Sequence, residues 1–502
     1  MRRLLVGAVM LSSILGASSA AVAATIPVDT TADTPLVSPG ACSLRQAVIS
    51  ANTDLPGSGS CVQGSGDDVI QLPGGTYQLS LIGPGEAGSA TGSLDISSVD
   101  DLRIEPTAGN QTVTIDGLYA DRIFSHIGSG NGDLTLRNLA LVKGQTTGVE
   151  DSASGLEGGA IRNVHGKLIL DGVLLFDNRS GFDGGAVWND AQLSVLNSTF
   201  STNQARRSGG AIFNGVNGSA SIRSTTITEN RADSNANGTG GGGGFRSDSA
   251  LPFNLTNSIL AGNFDDSPAD PDHAPDCASG PFFFPRYVIS TQPMGAGDCL
   301  IGNDPGTNLS PFDPRLEGLA DNSGQTFTHA IPFDSPVVDA GGTAEPDLCP
   351  PVDQRGMARP AGACDIGAYE YDQTPVPAEP LPGRTEPSNA VATYDADTGR
   401  LHVRLKCPAR FKPRCLSMAK PVVAKRNGGA MAPAKRVKTK SNRWKRVSFL
   451  IRPAFRARVE AMTFVDRKQL IVRQKIKSKK VRSKRSKRAS VVLHSYKVRV
   501  AL

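Results

Sequence analysis

The sequence is poor in aromatic side chains and, beyond its first residues, in long apolar runs. Phe, Trp and Tyr make up only 5% of the 502 residues, so a core must be built from small aliphatic side chains. A membrane-spanning helix needs about 20 consecutive apolar residues, and we expect no transmembrane segment in the mature chain. The 33 Pro and 55 Gly stay below the range of low-complexity sequences, which excludes collagen and wholesale disorder.

Short catalytic motifs are also missing. The chain has no His-Glu-x-x-His, no Gly-x-Ser-x-Gly and no phosphate-binding loop. It has no Cys-x2-Cys unit, and its six His are scattered, which argues against a zinc site. We therefore predict no catalytic, cofactor-binding or metal-binding residues. Five residues of the central region leave a lyase or hydrolase alternative open: Asp116, Asp171, His126, His165 and Lys167. Sequence alone does not say which of them share a face.

Two charged segments have both a functional and a structural interpretation. The acidic segment 265–273 could offer carboxylates to calcium, but it lacks the spacing of a calcium loop and contains two prolines. A solvated insertion is favoured. Opposite charges close together near the end of a repeat region usually form ion pairs that fix local structure. We give this structural interpretation to six charged residues: Asp339, Asp353, Arg355, Arg359, Asp365 and Glu370.

The N-terminus is typical of an export signal. Arg2 and Arg3 precede an apolar run over 4–15, and Ala21-Val22-Ala23 offers a small-x-small cleavage site. We predict a signal peptide over 1–23 and a location outside the cell or in its envelope. Disulfides persist in such compartments. Eight Cys allow 105 pairings, and the simplest set joins sequential neighbours: Cys42–Cys61, Cys277–Cys299, Cys349–Cys364 and Cys407–Cys415.

A repeat of 25 or 26 residues organises the middle of the chain. Gly-Gly-Ala-Ile with a following Asn163 recurs as Gly-Gly-Ala-Val with Asn189 and as Gly-Gly-Ala-Ile with Asn214. Aligning the segments between these motifs gives two apolar columns and one polar column. The first apolar column is Leu136, Leu170, Val195, Ile222 and Leu255; the second is Leu141, Leu175, Phe200, Ile227 and Leu260; the polar column is Gly144, Asn178, Asn203, Asn230 and Asn263.

These columns predict an all-β fold, a parallel β-helix over residues 24–372. Each unit alternates apolar and polar residues like a strand, and one unit buries its apolar face only by stacking on its neighbours. Asn and Gly tolerate the left-handed backbone of tight corners. Before the coils, Ser43 and Gln46 form a capping-box pattern, and Leu44, Ala47 and Val48 begin an apolar stripe that continues at Ala51. We expect a short helix there that caps the solenoid.

The same residues carry a resemblance to known families. The segment 42–52 resembles the CSLREA motif of bacterial secreted proteins, with Gln46 where Glu is usual. The repeats resemble those of polymorphic outer-membrane proteins and of pectin-lyase-like right-handed β-helices. The segments 319–330, 335–341, 353–360 and 365–370 resemble the choice-of-anchor Q domain that ends many such chains. The resemblance implies a secreted or surface right-handed β-helix with an N-terminal cap, and it fixes no activity.

The last quarter of the chain differs from the rest in charge. Residues 373–502 hold 34 Lys and Arg against 6 Asp and Glu, whereas the remainder is acidic. A Pro-rich linker over 373–383 leads into a module over 384–502 with several short strand patterns, for which we expect a small antiparallel β-sandwich. The densest charge runs from Lys475 to Arg488, by default in a solvated hairpin loop. Attraction to an anionic polymer would rest there on Lys479, Lys480, Arg482, Lys484 and Arg485.

Two functional hypotheses follow. The first is a non-catalytic protein, secreted or associated with the cell envelope, that binds polysaccharide or another anionic wall polymer. The second is an extracellular polysaccharide lyase or glycoside hydrolase on a pectin-lyase-like fold. Specific nucleic-acid binding is disfavoured, because few aromatic residues accompany the basic run and base stacking needs them.

Overall fold

The computed structural model describes most of the chain up to residue 371 and seven strands after it. The described ranges of the first part are 23–34, 40–55, 60–83, 88–109, 111–128, 132–146, 155–267, 274–279, 283–292, 308–342, 348–360 and 364–371. The chain divides into two compact units between Gln373 and Thr374. The predicted signal peptide and the Pro-rich linker lie outside the described residues, apart from the end of the signal at Ala23, and stay predictions.

The first unit is built almost entirely from parallel strands. Its largest sheet has fifteen strands in two series that meet at Phe253–Leu260, with which Phe283–Ser290 also pairs. One series comprises Thr25–Pro27, Asp68–Leu72, Leu102–Pro106, Leu134–Arg137, Lys167–Asp171, Gln192–Leu196 and Ser219–Arg223. The other comprises Gly75–Gln78, Val113–Asp116, Ala140–Val142, Leu174–Phe176, Thr199–Ser201 and Thr226–Thr228.

Three smaller sheets complete this unit. A seven-stranded parallel sheet holds Leu94–Ile96, Phe124–His126, Ile161–Asn163, Val187–Asn189, Ile212–Asn214, Phe245–Ser247 and Cys277–Ser279. A four-stranded parallel sheet holds Arg179–Ser180, Gln204–Ala205, Arg231–Ala232 and Phe264–Asp265. Leu319–Ala320 and Thr328–His329 form an antiparallel pair.

The strand register confirms both apolar columns. Leu170 pairs with Leu136 on one side and Val195 on the other, and Ile222 follows Val195. Leu175 and Phe200 pair in the same way in the second column. All of these side chains are buried in one continuous core. Each strand thus pairs in parallel with the strand one repeat later, an arrangement compatible with a parallel β-helix. We call one repeat a coil.

Buried asparagines form ladders along the stack. The side-chain amide of Asn178 donates to Asn203 Oδ1 at 2.9 Å, and that of Asn203 donates to Asn230 Oδ1 at 2.8 Å. A second ladder joins Asn163, Asn189 and Asn214 at 2.7 Å per step. All six ladder positions are fully buried. The first ladder stands between strands, where its amides replace water, whereas the second is formed by the last residues of strands in the seven-stranded sheet.

The left-handed corner residue is not the ladder asparagine. It is the residue before it: Asp177, Thr202 and Glu229 have φ of 53°, 62° and 60°. The expectation that ladder Asn itself supplies the left-handed turn was therefore wrong in this column. The side-chain amide fixes the corner through hydrogen bonds, and the strained backbone sits beside it. In the glycine pairs the first glycine is left-handed, as at Gly184 with φ 67°.

The one helix among the described residues is Leu44–Thr53. Ser43 is its N-cap, and Ser43 and Gln46 exchange the two hydrogen bonds of a capping box, as the sequence predicts. Leu44, Ala47, Val48 and Ala51 are buried against strands that include Thr25–Pro27 and Leu94–Ile96. No described helix is long and apolar enough to cross a membrane.

Two predicted cysteine pairs stand at disulfide distance. Cys42 and Cys61 are bonded with Cα atoms 4.7 Å apart, and Cys349 and Cys364 with Cα atoms 6.1 Å apart. Cys277 is also disulfide-bonded, whereas Cys299 and Cys407 lie outside the described residues.

The second unit contains one seven-stranded sheet. Its order is Lys435–Lys440, Arg414–Val422, Gln469–Lys477, Val491–Ala501, Val391–Asp395, Arg400–Lys406 and Trp444–Leu450. All neighbours are antiparallel except Val391–Asp395 and Val491–Ala501. We expected an antiparallel sandwich; the described strands instead share one sheet, because the strands nearest the two ends of the unit pair with each other and join its halves. Lys479, Lys480, Arg482, Lys484 and Arg485 lie outside the described residues.

The core column yields a first prediction. Val195 is 1% exposed between Leu170 and Ile222, so Val195→Asp would bury a charge without a partner. We expect the free energy of unfolding to fall by at least about 3 kcal/mol, measured by denaturant titration. The matched control is Ser194→Asp, one residue earlier on the half-exposed face. Equal losses in both variants would contradict the assigned faces.

The cysteine geometry yields a second prediction. Mass mapping of the unreduced mature protein should recover Cys42 linked to Cys61 and Cys349 linked to Cys364. The same map tests the two pairs whose partners lie outside the described residues, Cys277–Cys299 and Cys407–Cys415. A link between the two units, or free thiols at most positions, would count against both the pairing and the oxidising compartment.

Candidate ligand groove

A polar groove of about 320 Å³ crosses four successive coils of the first unit. Its floor includes the four-stranded sheet, where Gln145 pairs with Arg179 and Arg179 with Gln204. Neighbouring strands lie about 4.8 Å apart, so successive coils contribute lining residues at that interval along the stack. It is lined by Gln145, Thr146, Arg179, Ser180, Gly181, Gln204, Arg206 and Ser234.

Hydroxyl groups hold the floor of the groove in place. Thr146 Oγ1 donates to the carbonyl of Leu156 at 2.5 Å and accepts from the backbone N–H of Gly181 at 3.0 Å. Ser180 Oγ contacts the carbonyls of Leu156 and Asp183, each at 2.8 Å. Because these polar atoms are bonded within the protein, the floor is fixed before any ligand arrives.

An aromatic and charged cluster forms one rim. The Arg179 guanidinium lies 4.3 Å from the centre of the Tyr119 ring and donates to Asp177 Oδ1 at 3.1 Å. The Tyr119 hydroxyl donates to the other oxygen of Asp177. Burial, and then the hydrogen bond and charge of Asp177, raise the pKa of Tyr119 to about 12. The phenol therefore stays neutral at ordinary pH, and Asp177 is engaged on both oxygens.

Among the five residues of the lyase or hydrolase alternative, Lys167 and Asp171 begin and end one strand, and the other three lie on other strands and turns. Asp116 accepts from Lys143 Nζ at 2.9 Å, and Asp171 accepts from Arg137 Nε at 3.0 Å in the other series of the largest sheet. His126 lies in the seven-stranded sheet, while His165 is exposed in a turn and Lys167 begins the next strand. Lys167 and Asp171 share the partly exposed face of their strand, whereas Asp116 lies in the other series and neither histidine is on that strand.

His126 has a structural role. Its ring is 2% exposed, and its nitrogens contact Asn163 Oδ1 at 2.7 Å and the carbonyl of Gly132 at 3.1 Å. It stands at the head of the Asn163 ladder. Burial lowers the pKa of His126 below its usual value, and both ring nitrogens contact protein oxygens, so the imidazole is a buried ladder member rather than an exposed base.

The acidic segment is partly described. Asp266 forms an ion pair with Arg231, and Asp265 accepts from the backbone of Ser267 and Ala274. Residues 268–273 lie outside the described residues. Over the part of the chain that the structure describes, no group of three or more His, Cys, Asp or Glu side chains is placed to hold a metal ion.

The charged residues near 353–370 pair with one another, as their spacing suggests. Arg355 contacts Asp353 at 2.7 Å, and Arg359 Nη1 donates to Glu370 Oε2 at 2.8 Å, with all four side chains nearly or wholly buried. Burial raises the pKa of Asp365 to about 6. Burial, and then the charge of Asp365, raise that of Glu370 to about 7. This cluster joins the segments 353–360 and 365–370, and none of its members lines the groove.

The sequence did not single out the groove. Three of its lining residues, Gln145, Arg179 and Gln204, follow the polar column by one residue in successive coils, and that position is the signal that could have found them. No protein-family model matches the chain, and no curated protein matches its sequence. The groove geometry therefore carries the functional argument by itself.

The buried carboxyl pair yields a prediction on pH. Raised folded pKa values mean that the native state binds protons more tightly than the unfolded chain, whose carboxyls titrate near pH 4. The stabilisation from these protons is full below about pH 4 and lost as pH rises through the folded values, about 6 and about 7. Glu370→Gln should therefore lose less stability than the parent protein between pH 5 and 8, measured as thermal midpoints.

The pH dependence of the parent protein alone is not enough, because burial lowers the pKa values of His126 and His329. These two histidines make stability rise with pH, opposite to the carboxyl pair, so the variant must be compared with the parent. Glu317→Gln makes the same chemical change at an exposed site and should leave the pH dependence unaltered. If Glu370→Gln follows the parent curve, the carboxyl pair does not set the pH dependence.

Proposed function

We propose that this chain is an exported right-handed parallel β-helix protein that binds polysaccharide or another surface polymer without turning it over. The N-terminal helix would cap the coils, and the stretch ending near residue 371 would close them in the manner of a choice-of-anchor Q domain. Support comes from the parallel register of successive coils, the capping box at Ser43 and the disulfide-bonded cysteines.

The groove is the observation that carries binding. Besides the internally bonded hydroxyls of its floor, it is lined by two glutamine amides, two guanidinium groups and the Ser234 hydroxyl, and such groups hydrogen-bond to sugar hydroxyls and carboxylates. Tyr119 adds an aromatic surface at the rim, already stacked with Arg179. The lining extends along the coil axis over four coils, which suits a linear polymer lying in the same direction.

The same lining disfavours catalysis. Glycoside hydrolysis uses two carboxyl groups across the scissile bond, and the described residues that line the groove include no carboxylate. The nearby Asp177 is held by Tyr119 and Arg179. A binding role needs no free acid or base, and it uses the groups that are present.

The test is a groove variant of the full-length protein, Gln204→Ala with Arg206→Ala. Binding to pectate, alginate and glycosaminoglycans, followed by affinity electrophoresis or calorimetry, should weaken by about tenfold for the polymer that binds, the loss of one to two hydrogen bonds. The matched control is Gln192→Ala with Arg223→Ala on the first series of the largest sheet.

Two results would contradict the proposal. Unchanged binding in the groove variant would remove the groove from the argument. Release of shortened or unsaturated products from any polymer in the panel, abolished by changing Asp116 or Asp171, would establish the lyase or hydrolase alternative instead.

A further inference from the structure

The seven-stranded sheet of the second unit sorts its residues by charge. Residues that face each other across a ladder share a face of the sheet, and successive residues of a strand alternate between faces. Following the register from strand to strand therefore assigns every strand residue to one of two faces.

One face carries fourteen basic residues and a single acid, Asp395. We call these residues the basic face: Arg400, Arg404, Lys406, Arg414, Lys420, Arg436, Lys438, Lys440, Arg446, Arg473, Lys475, Lys477, Lys497 and Arg499. The opposite face carries two basic residues, Lys435 and Lys445, and is otherwise mostly apolar. Its members include Leu401, Val403, Leu405, Val437, Val447, Phe449, Leu470, Val472, Ile476, Val492, Val498 and Val500.

The curvature of the sheet decides which face is enclosed and which faces outward. The edge strands Lys435–Lys440 and Trp444–Leu450 approach each other where three residues join them, so the sheet curves until its two edges come together there. A sheet that closes in this way encloses one of its faces. Apolar residues must be the enclosed set, since enclosing fourteen like charges would cost far more than folding supplies.

We propose that the basic face binds an acidic polysaccharide. Fourteen like charges on one surface of a small sheet repel one another, and a polymer with regularly spaced anionic groups relieves that repulsion along its whole length. The proposal rests on the proposed function and deepens it by naming the charge class of the polymer and a second surface for it.

The residue types favour a glycan over a nucleic acid. Trp444 is the one aromatic residue assigned to the basic face, whereas Tyr394, Phe449 and Tyr496 fall on the opposite face. Proteins that hold single-stranded nucleic acid combine basic residues with aromatic residues on which bases stack. A surface with charge and almost no aromatic residues matches carboxylated or sulfated sugars better.

This assignment relocates the contact predicted from the sequence. The basic run begins inside the strand Gln469–Lys477, where Lys475 and Lys477 belong to the basic face. Lys477 pairs with Val491, so the remainder of the run connects two neighbouring strands. Most of the positive charge that the structure describes in this unit therefore lies on the sheet.

Adjacent residues of the two edge strands provide a matched test. Arg436 and Arg446 belong to the basic face, and Lys435 and Lys445, one residue earlier in the same strands, belong to the opposite face. Full-length Arg436→Gln with Arg446→Gln and full-length Lys435→Gln with Lys445→Gln have the same net charge. Binding is measured on immobilised heparin across a salt series, with neutral dextran as the blank and circular dichroism to check folding.

We expect the basic-face variant to bind heparin about fivefold more weakly at low salt, with the slope of log affinity against log salt shallower by about one to two. The opposite-face variant, if folded, should bind like the parent. A third variant, Lys479→Gln with Lys480→Gln, should lose less than the basic-face variant. Arg404→Gln with Lys406→Gln repeats the test inside the sheet should an edge variant misfold.

Equal losses in the two edge variants would overturn the assignment of faces, as would a larger loss in the Lys479 and Lys480 variant. Tighter binding to DNA than to heparin at the same salt would assign the surface to nucleic acid instead. The groove variant separates the two proposals. If only the groove variant loses polymer binding, the proposed function stands and the proposal for the basic face is wrong. If only the basic-face variant loses binding, the groove is not the binding site.

Discussion

The first unit depends on how the backbone N–H and C=O groups at its buried corners find hydrogen-bond partners. Parallel strands one coil apart bond fully to each other, but each coil must leave the sheet and turn where water has no access. Asn side chains supply the missing hydrogen bonds at Asn178, Asn203 and Asn230. Each side-chain amide donates to a backbone carbonyl of the preceding coil and to the asparagine side chain of the next coil. An unmade bond at any step would leave a buried polar group without a partner. The apolar columns supply burial, and the ladder fixes where each coil bends.

Much of this could be predicted from the repeat. Leu170, Val195 and Ile222 stack as aligned, because a period of two within strands and a fixed repeat length leave one register that buries every apolar residue. The helix at Leu44–Thr53 was foreseen from its cap and stripe. The left-handed corner was misplaced by one residue, since Asp177, Thr202 and Glu229 give no signal in their residue types. The single sheet of the second unit was missed because Val391–Asp395 pairs with Val491–Ala501, a contact between its two ends.

The candidate sites were harder to find for a different reason. Gln145, Arg179 and Gln204 have the composition of any solvated strand face, and only the three-dimensional stack turns one residue per coil into a groove. The basic residues of the second unit were visible as charge, but the sequence pointed to the run where they are densest. The sheet register spreads them over six of the seven strands and gathers them on one face, which changes a local charge cluster into an extended surface.

Identical columns also make the stack nearly degenerate. A coil displaced by one whole repeat would still set Leu on Val and Asn on Asn, so neither the core nor the ladder would oppose the slip. The stretch after the last coil removes this freedom. Thr326 donates to the carbonyl of Gly172, Thr199 to Gln354, and Ala368 to Thr226, in three successive coils. These three contacts can form together only when each coil occupies its own place in the stack. The stretch after the last coil therefore fixes the order and register of the coils.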